Sequence, residues 1–133
     1  MDINWRAVLT GFLTAFVLGI LVAWLVPPAR MSGLAQALPG LVGGLVAGYM
    51  VVGAGRGAVH GGLATVVGGL VLLVAWLVLG TLFAGVFPAV TGFALGLAVL
   101  LAQAIPGAVA GAIGGWAKGR RTATRETVGT ETR

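Results

Sequence analysis

From Ala7 to Val26 the chain runs without one charged side chain, and comparable apolar runs recur further along. A helix of about 20 residues crosses a hydrocarbon core of ~30 Å. Backbone N–H and C=O groups in hydrocarbon must be satisfied within the segment, which a helix does. The 133 residues are 59% hydrophobic and 8% charged, far more apolar than a soluble domain of this size needs. The expected fold is therefore an all-α integral membrane four-helix bundle. Its spans are placed at about 6–26, 34–52, 58–82 and 92–117, within a single membrane domain over 1–117. The Thr-rich segment 118–133 is expected to be a polar, disordered cytoplasmic tail, because it has too little apolar surface to order itself. The first run is longer than a signal-peptide core, ends in Val26-Pro27-Pro28 and lacks a small-x-small cleavage site, so it is expected to stay as a membrane helix.

Charge sets the orientation. Arg6, Arg56, Lys118, Arg120, Arg121, Arg125 and Arg133 fall on one side of these spans and Arg30 on the other. The positive-inside rule then puts both termini of a multi-pass protein on the cytoplasmic side of the cell membrane. Aromatic residues agree. Trp5 and Trp24 lie about 28 Å apart along a helix, close to the core thickness. Trp76 falls near the outer face, and Tyr49 and Trp116 near the inner one. The net charge of +5 implies contact with the bilayer and anionic lipid head groups rather than nucleic acid, since no aromatic residues interleave with the basic ones.

One phrase occurs twice: "LAQALPG" at Leu34 and "LAQAIPG" at Leu101. Aligning 34–50 with 101–117 gives nine identities in seventeen positions, including Gln36/Gln103 and Pro39/Pro106. "LVAWLV" at Leu21 recurs at Leu73. Two tandem helical hairpins in parallel orientation would produce this pattern. The offsets are 67 and 52, so the second hairpin holds about 15 extra residues near Gly80 to Leu95, expected to lie at the outer membrane surface or dip into it.

Gly40, Gly44 and Gly48 recur every four residues, as do Gly107, Gly111 and Gly115. Each set occupies one helix face, and such small faces let helix backbones approach closely. One step back on each face stands Gln36 or Gln103. Softer versions run through Gly11, Ala15, Gly19 and Ala23, and through Gly57, Gly61, Thr65 and Gly69. Pro39 and Pro106 each remove a helix N–H, so both are expected to kink their helices. The two glutamines are expected to meet each other or to bond the carbonyls that the prolines free, since a buried amide needs partners.

Catalytic chemistry has little to work with. The only acids, Asp2, Glu126 and Glu131, are near the ends, there is no cysteine, and His60 is the sole histidine. His60 is expected at the inner interface, and "GAGRGAVHGG" lacks the Gly-Lys-Ser/Thr ending of a phosphate loop. No enzyme activity, cofactor or metal is expected.

The segments "MDINWRAVLTGF", "GGLVAGYMVVG" and "RGAVHGGLATVVGG" resemble a haloarchaeal family of small four-helix membrane proteins catalogued as a domain of unknown function. The resemblance covers most of 1–116 and implies a four-span membrane protein without transferring an activity or a site. Two functions follow as expectations. The first is a structural or accessory membrane protein that associates with itself, as a homo-oligomer, or with a membrane partner through its glycine-zipper faces. The alternative is a small passive channel or carrier with Gln36 and Gln103 as a polar constriction.

Because seven of the eight Lys/Arg lie on one side, tags at the two ends are both expected in the cytoplasm. Accessibility labelling that finds either tag outside removes the four-span arrangement.

Overall fold

The structure is a computed structural model that describes residues 2–27 and 33–130, with side chains over 2–27 and 36–124. Its helices are α1 (Trp5–Leu25), α2 (Gly33–Tyr49), α3 (Ala54–Ala84) and α4 (Val86–Thr130). No strand occurs among the described residues. Helices α1, α3 and α4 are long and apolar enough to cross a membrane; α2 has 17 residues, about 26 Å. Arg30 and residues 131–133 lie outside the described residues.

Local chemistry explains the helix ends. Asn4 caps α1, its side chain accepting from the Ala7 N–H. The Asn4 backbone N–H donates to His60 Nε2 at 2.8 Å, and His60 Nδ1 lies 2.7 Å from the Arg56 carbonyl oxygen. The Nδ1–H tautomer satisfies both contacts, so a fully buried imidazole ties the start of α1 to α3. Gly53 and Gly85 end the turns before α3 and α4 with φ of 99° and 92°, a region that favours glycine.

Two segments differ from expectation. The stretch 80–95 is helical: α3 continues through it to Ala84, Gly85 reverses the chain, and α4 starts at Val86 rather than near 92. Pro88 falls in the first turn of α4, where a missing N–H costs no helix hydrogen bond. The segment 118–130 is helical rather than disordered. Extending an existing helix fixes few dihedrals per bond gained. Thr122 and Thr124 donate to the carbonyls of Lys118 and Arg120 four residues back, and Arg120 lies over the Trp116 ring at 4.3 Å. Both prolines stay inside continuous helices.

α1 and α4 each pack on α2 and α3; α2 also meets α3, while α1 and α4 scarcely touch. The bundle is therefore flattened along the α2–α3 diagonal. Its tightest layer is built of glycine backbones. A Cβ added at Gly44 or at Gly61 would lie 2.5 Å from the Gly107 carbonyl oxygen, so α2 and α3 converge on one peptide of α4. Gly48 and Gly57 both lie against Gly111, and Gly115 against Gly53 and Gly57. α1 joins through Gly11, where a Cβ would lie 2.6 Å from the Gly43 carbonyl oxygen.

Gly40 is the exception in the predicted faces. A Cβ there meets nothing within 4 Å. Nor do the two hairpins pack as equivalents. Repeat register equates Gly44 with Gly111, so a Gly44–Gly107 contact requires a matching Gly111–Gly40 contact under twofold symmetry, and Gly40 makes none. The physical reason lies in α3, whose Gly57 and Gly61 share the α4 face with α2.

Gly44→Ala and Gly111→Ala are each expected to destabilise the bundle by about 1–3 kcal/mol through overpacking. Gly40→Ala is expected to be neutral, or to stabilise by about 0.5–1 kcal/mol through helix propensity. Thermal unfolding in detergent compares them, and equal losses at all three positions would contradict this packing.

Candidate functional site

Away from the glycine layer, toward Trp24 and Trp76, the helices separate around a cavity of about 700 Å3. All four helices line it: Phe12, Phe16 and Gly19 from α1, Gln36, Pro39 and Gly40 from α2, Gly68, Leu72 and Trp76 from α3, and Val99, Leu100 and Gln103 from α4. Small residues on facing helices make the space, and the glycine layer closes its floor.

Packing around the cavity differs from packing below it. In the layer, backbone meets backbone. Around the cavity, large side chains cover glycines of the neighbouring helix. Phe12 covers Gly68, where a Cβ would lie 2.8 Å from its ring, and Trp76 covers Gly92 at 2.6 Å. Leu73 and Leu100 similarly cover Gly96 and Gly69. A side chain held over a glycine keeps the two backbones further apart than mutual glycine contact does.

The wall is mostly apolar. Its polar side chains are Gln36, Gln103, Thr65 and the Trp76 indole. The Thr65 hydroxyl donates to the Gly61 carbonyl at 3.1 Å and keeps its capacity to accept. Contrary to expectation, the two glutamines do not pair: among the described residues no hydrogen bond joins them, and both face the cavity. Gln36 is exposed and Gln103 half-buried, so neither amide is sealed away from a partner. Among the described residues the wall offers neutral donors and acceptors and no charge, which suits an uncharged polar group.

The sequence-predicted residues thus divide by depth. Gly44, Gly48, Gly107, Gly111 and Gly115 are buried in the layer. Gly40, Pro39, Gln36 and Gln103 line the cavity, with Pro39 facing Gly19 of α1. Pro106 lies between these groups in α4, half-buried. His60 is in neither. It serves as the buried link between α1 and α3. Sequence reasoning missed Gly43 and Gly114, which stand one residue off the fourfold rows and contact Gly11 and the Leu45 carbonyl.

The layer, the cavity and the His60 link lie almost entirely within residues 5–117, the stretch matched by a family described as a family of unknown function, DUF5518. The chain belongs to the DUF5518 family. As the sequence resemblance implied, it is a family of unknown function. No curated protein and no solved structure matches the chain. The DUF5518 match takes in every cavity-lining residue and ends at Ala117, before the basic extension of α4.

Since the two amides of this DUF5518 protein do not bond each other, Gln36→Leu and Gln103→Leu are expected to add in stability within about 0.5 kcal/mol. A double-mutant cycle with a larger coupling energy would show that they pair.

Proposed function

We propose that the protein is a non-enzymatic, accessory integral membrane protein of the cytoplasmic membrane. It has four spans, both termini are cytoplasmic, and its cavity accommodates one uncharged amphipathic molecule of lipid-like character. The observation that carries this reading is the cavity of about 700 Å3, walled by all four helices, apolar apart from a few neutral polar groups. That volume falls in the range of small-molecule sites, which combine an apolar lining with a few orienting polar groups. The apolar body of the ligand packs against Phe12, Phe16 and Leu72, and its hydroxyl or carbonyl head bonds Gln36 or Gln103.

Self-association through the glycine faces has less support. Gly44, Gly48, Gly107, Gly111 and Gly115 are occupied inside the chain, so an oligomer would use other surfaces. A passive channel between the glutamines meets the same obstacle, because the Gly44–Gly107–Gly61 contacts close the floor.

The test is lipid extraction and mass spectrometry on protein purified from membranes. A co-purifying neutral lipid is expected. Gly40→Leu, which fills open space, should remove it while leaving the melting temperature of the lipid-free protein unchanged or raised. Gln103→Leu should weaken retention about tenfold, the worth of one hydrogen bond. Retention of the lipid by Gly40→Leu protein would place it outside the cavity. Solute flux into proteoliposomes that falls with either glutamine substitution would favour the channel.

A further inference from the structure

At the opposite end from the cavity mouth, α4 runs past the end of α2 and the two enclose a notch of about 610 Å3, lined by Tyr49, Lys118, Arg120, Arg121, Thr122 and Thr124. Three cations fall within four residues, and each is held by something other than a carboxylate. Lys118 Nζ donates to the Met50 carbonyl at 2.6 Å, just past the C-terminus of α2, where cations are favoured. Arg121 Nη1 donates to the Tyr49 hydroxyl at 2.7 Å and lies 5.8 Å from that ring. Arg120 rests on Trp116. These contacts restrain two guanidinium groups on aromatic faces and leave most of their N–H donors unspent. Among the described side chains Asp2 is the only carboxylate, against the five cations Arg6, Arg56, Lys118, Arg120 and Arg121.

The aromatic pair fixes the depth. Tyr49 and Trp116 are each partly exposed and stand where the apolar bundle gives way to the basic extension, the position aromatic residues take at a membrane boundary. The phosphates of a leaflet lie at that level. Planar guanidinium groups match a phosphate in fork geometry, and a cluster of cations at this depth is how anionic lipid surfaces are recognised.

We propose that the notch between the end of α2 and the α4 extension seats the phosphate of an anionic phospholipid, with Arg120 and Arg121 as its ligands and Lys118 completing the positive field. The proposal deepens the membrane reading above and rests on it. It is independent of the cavity, which lies toward the other end and has no charge among its described lining residues. A free phosphate ion would satisfy the same donors; the aromatic boundary and the adjoining apolar helices favour the lipid.

The test uses the full-length protein in nanodiscs of mixed phosphatidylcholine and phosphatidylglycerol, with retained lipids counted by native mass spectrometry. Phosphatidylglycerol is expected to be retained over phosphatidylcholine. Arg120→Gln and Arg121→Gln should each lower that preference about fivefold. Arg56→Gln, which removes the same charge at the same end outside the notch, should leave it intact. An equal fall in Arg56→Gln would reduce the effect to general surface charge and overturn the notch. Incorporation without any preference also overturns it and leaves the membrane reading standing, whereas failure to incorporate at all overturns both. Two titrations of detergent-solubilised protein test the source. Arg120- and Arg121-dependent binding of inorganic phosphate alone would reassign the notch to a soluble anion. The same dependence with a single-stranded oligonucleotide would reassign it to nucleic acid.

Discussion

The contact on which the fold depends is the meeting of α2 and α3 at one carbonyl of α4. Gly44 and Gly61 both approach the Gly107 oxygen so closely that neither has space for a methyl group. Hydrophobic burial contributes little to the joining of helices in lipid, because the tails are as apolar as the side chains they would replace. Close packing and weak polar contacts between backbones take over, and glycine maximises both. The rest of the layer continues the same contact along the helices, from Gly11 against Gly43 to Gly53 against Gly115.

The cavity is the complement of that layer. The same small residues continue up the helices, but beyond Gly107 their neighbours are Phe12, Leu73, Trp76 and Leu100, whose side chains stand over the glycines and hold the backbones apart. One composition thus gives two kinds of packing: dense where glycine faces glycine, open where glycine faces a large side chain. The division leaves Gln36 and Gln103 in the open part, where their amides are available to a bound molecule.

Much of this was legible in the sequence. Charge-free runs marked the helices, and Gly44, Gly48, Gly107, Gly111 and Gly115, which lie against neighbouring backbones, stand at four-residue spacing within their helices. What escaped was the partner of each face. Spacing reveals that a face is small but not what lies opposite, so Gly40 read as a packing residue although it borders space. The repeat suggested that Gln36 would meet Gln103, yet α3 brings its own glycines to α4 and shifts the register. The fourth helix was expected from about 92, but it starts at Val86 and takes Pro88 into its first turn. Nothing local in the sequence announces the bond between His60 and Asn4, 56 residues away.

The helices are unequal in length. α1 is about 31 Å long and α3 about 46 Å, and the hairpin of α3 and α4 ends in Phe83 and Phe87, 87% and 83% exposed. In the bilayer proposed above, the two hairpins ask for different hydrocarbon thicknesses. The lipids beside α3 and α4 must stretch or the long hairpin must tilt, while those beside α1 remain at rest, at a cost of fractions of a kcal/mol per Å. The protein would then act as a wedge of uneven height, gathering in thicker patches of membrane with its long hairpin turned toward them.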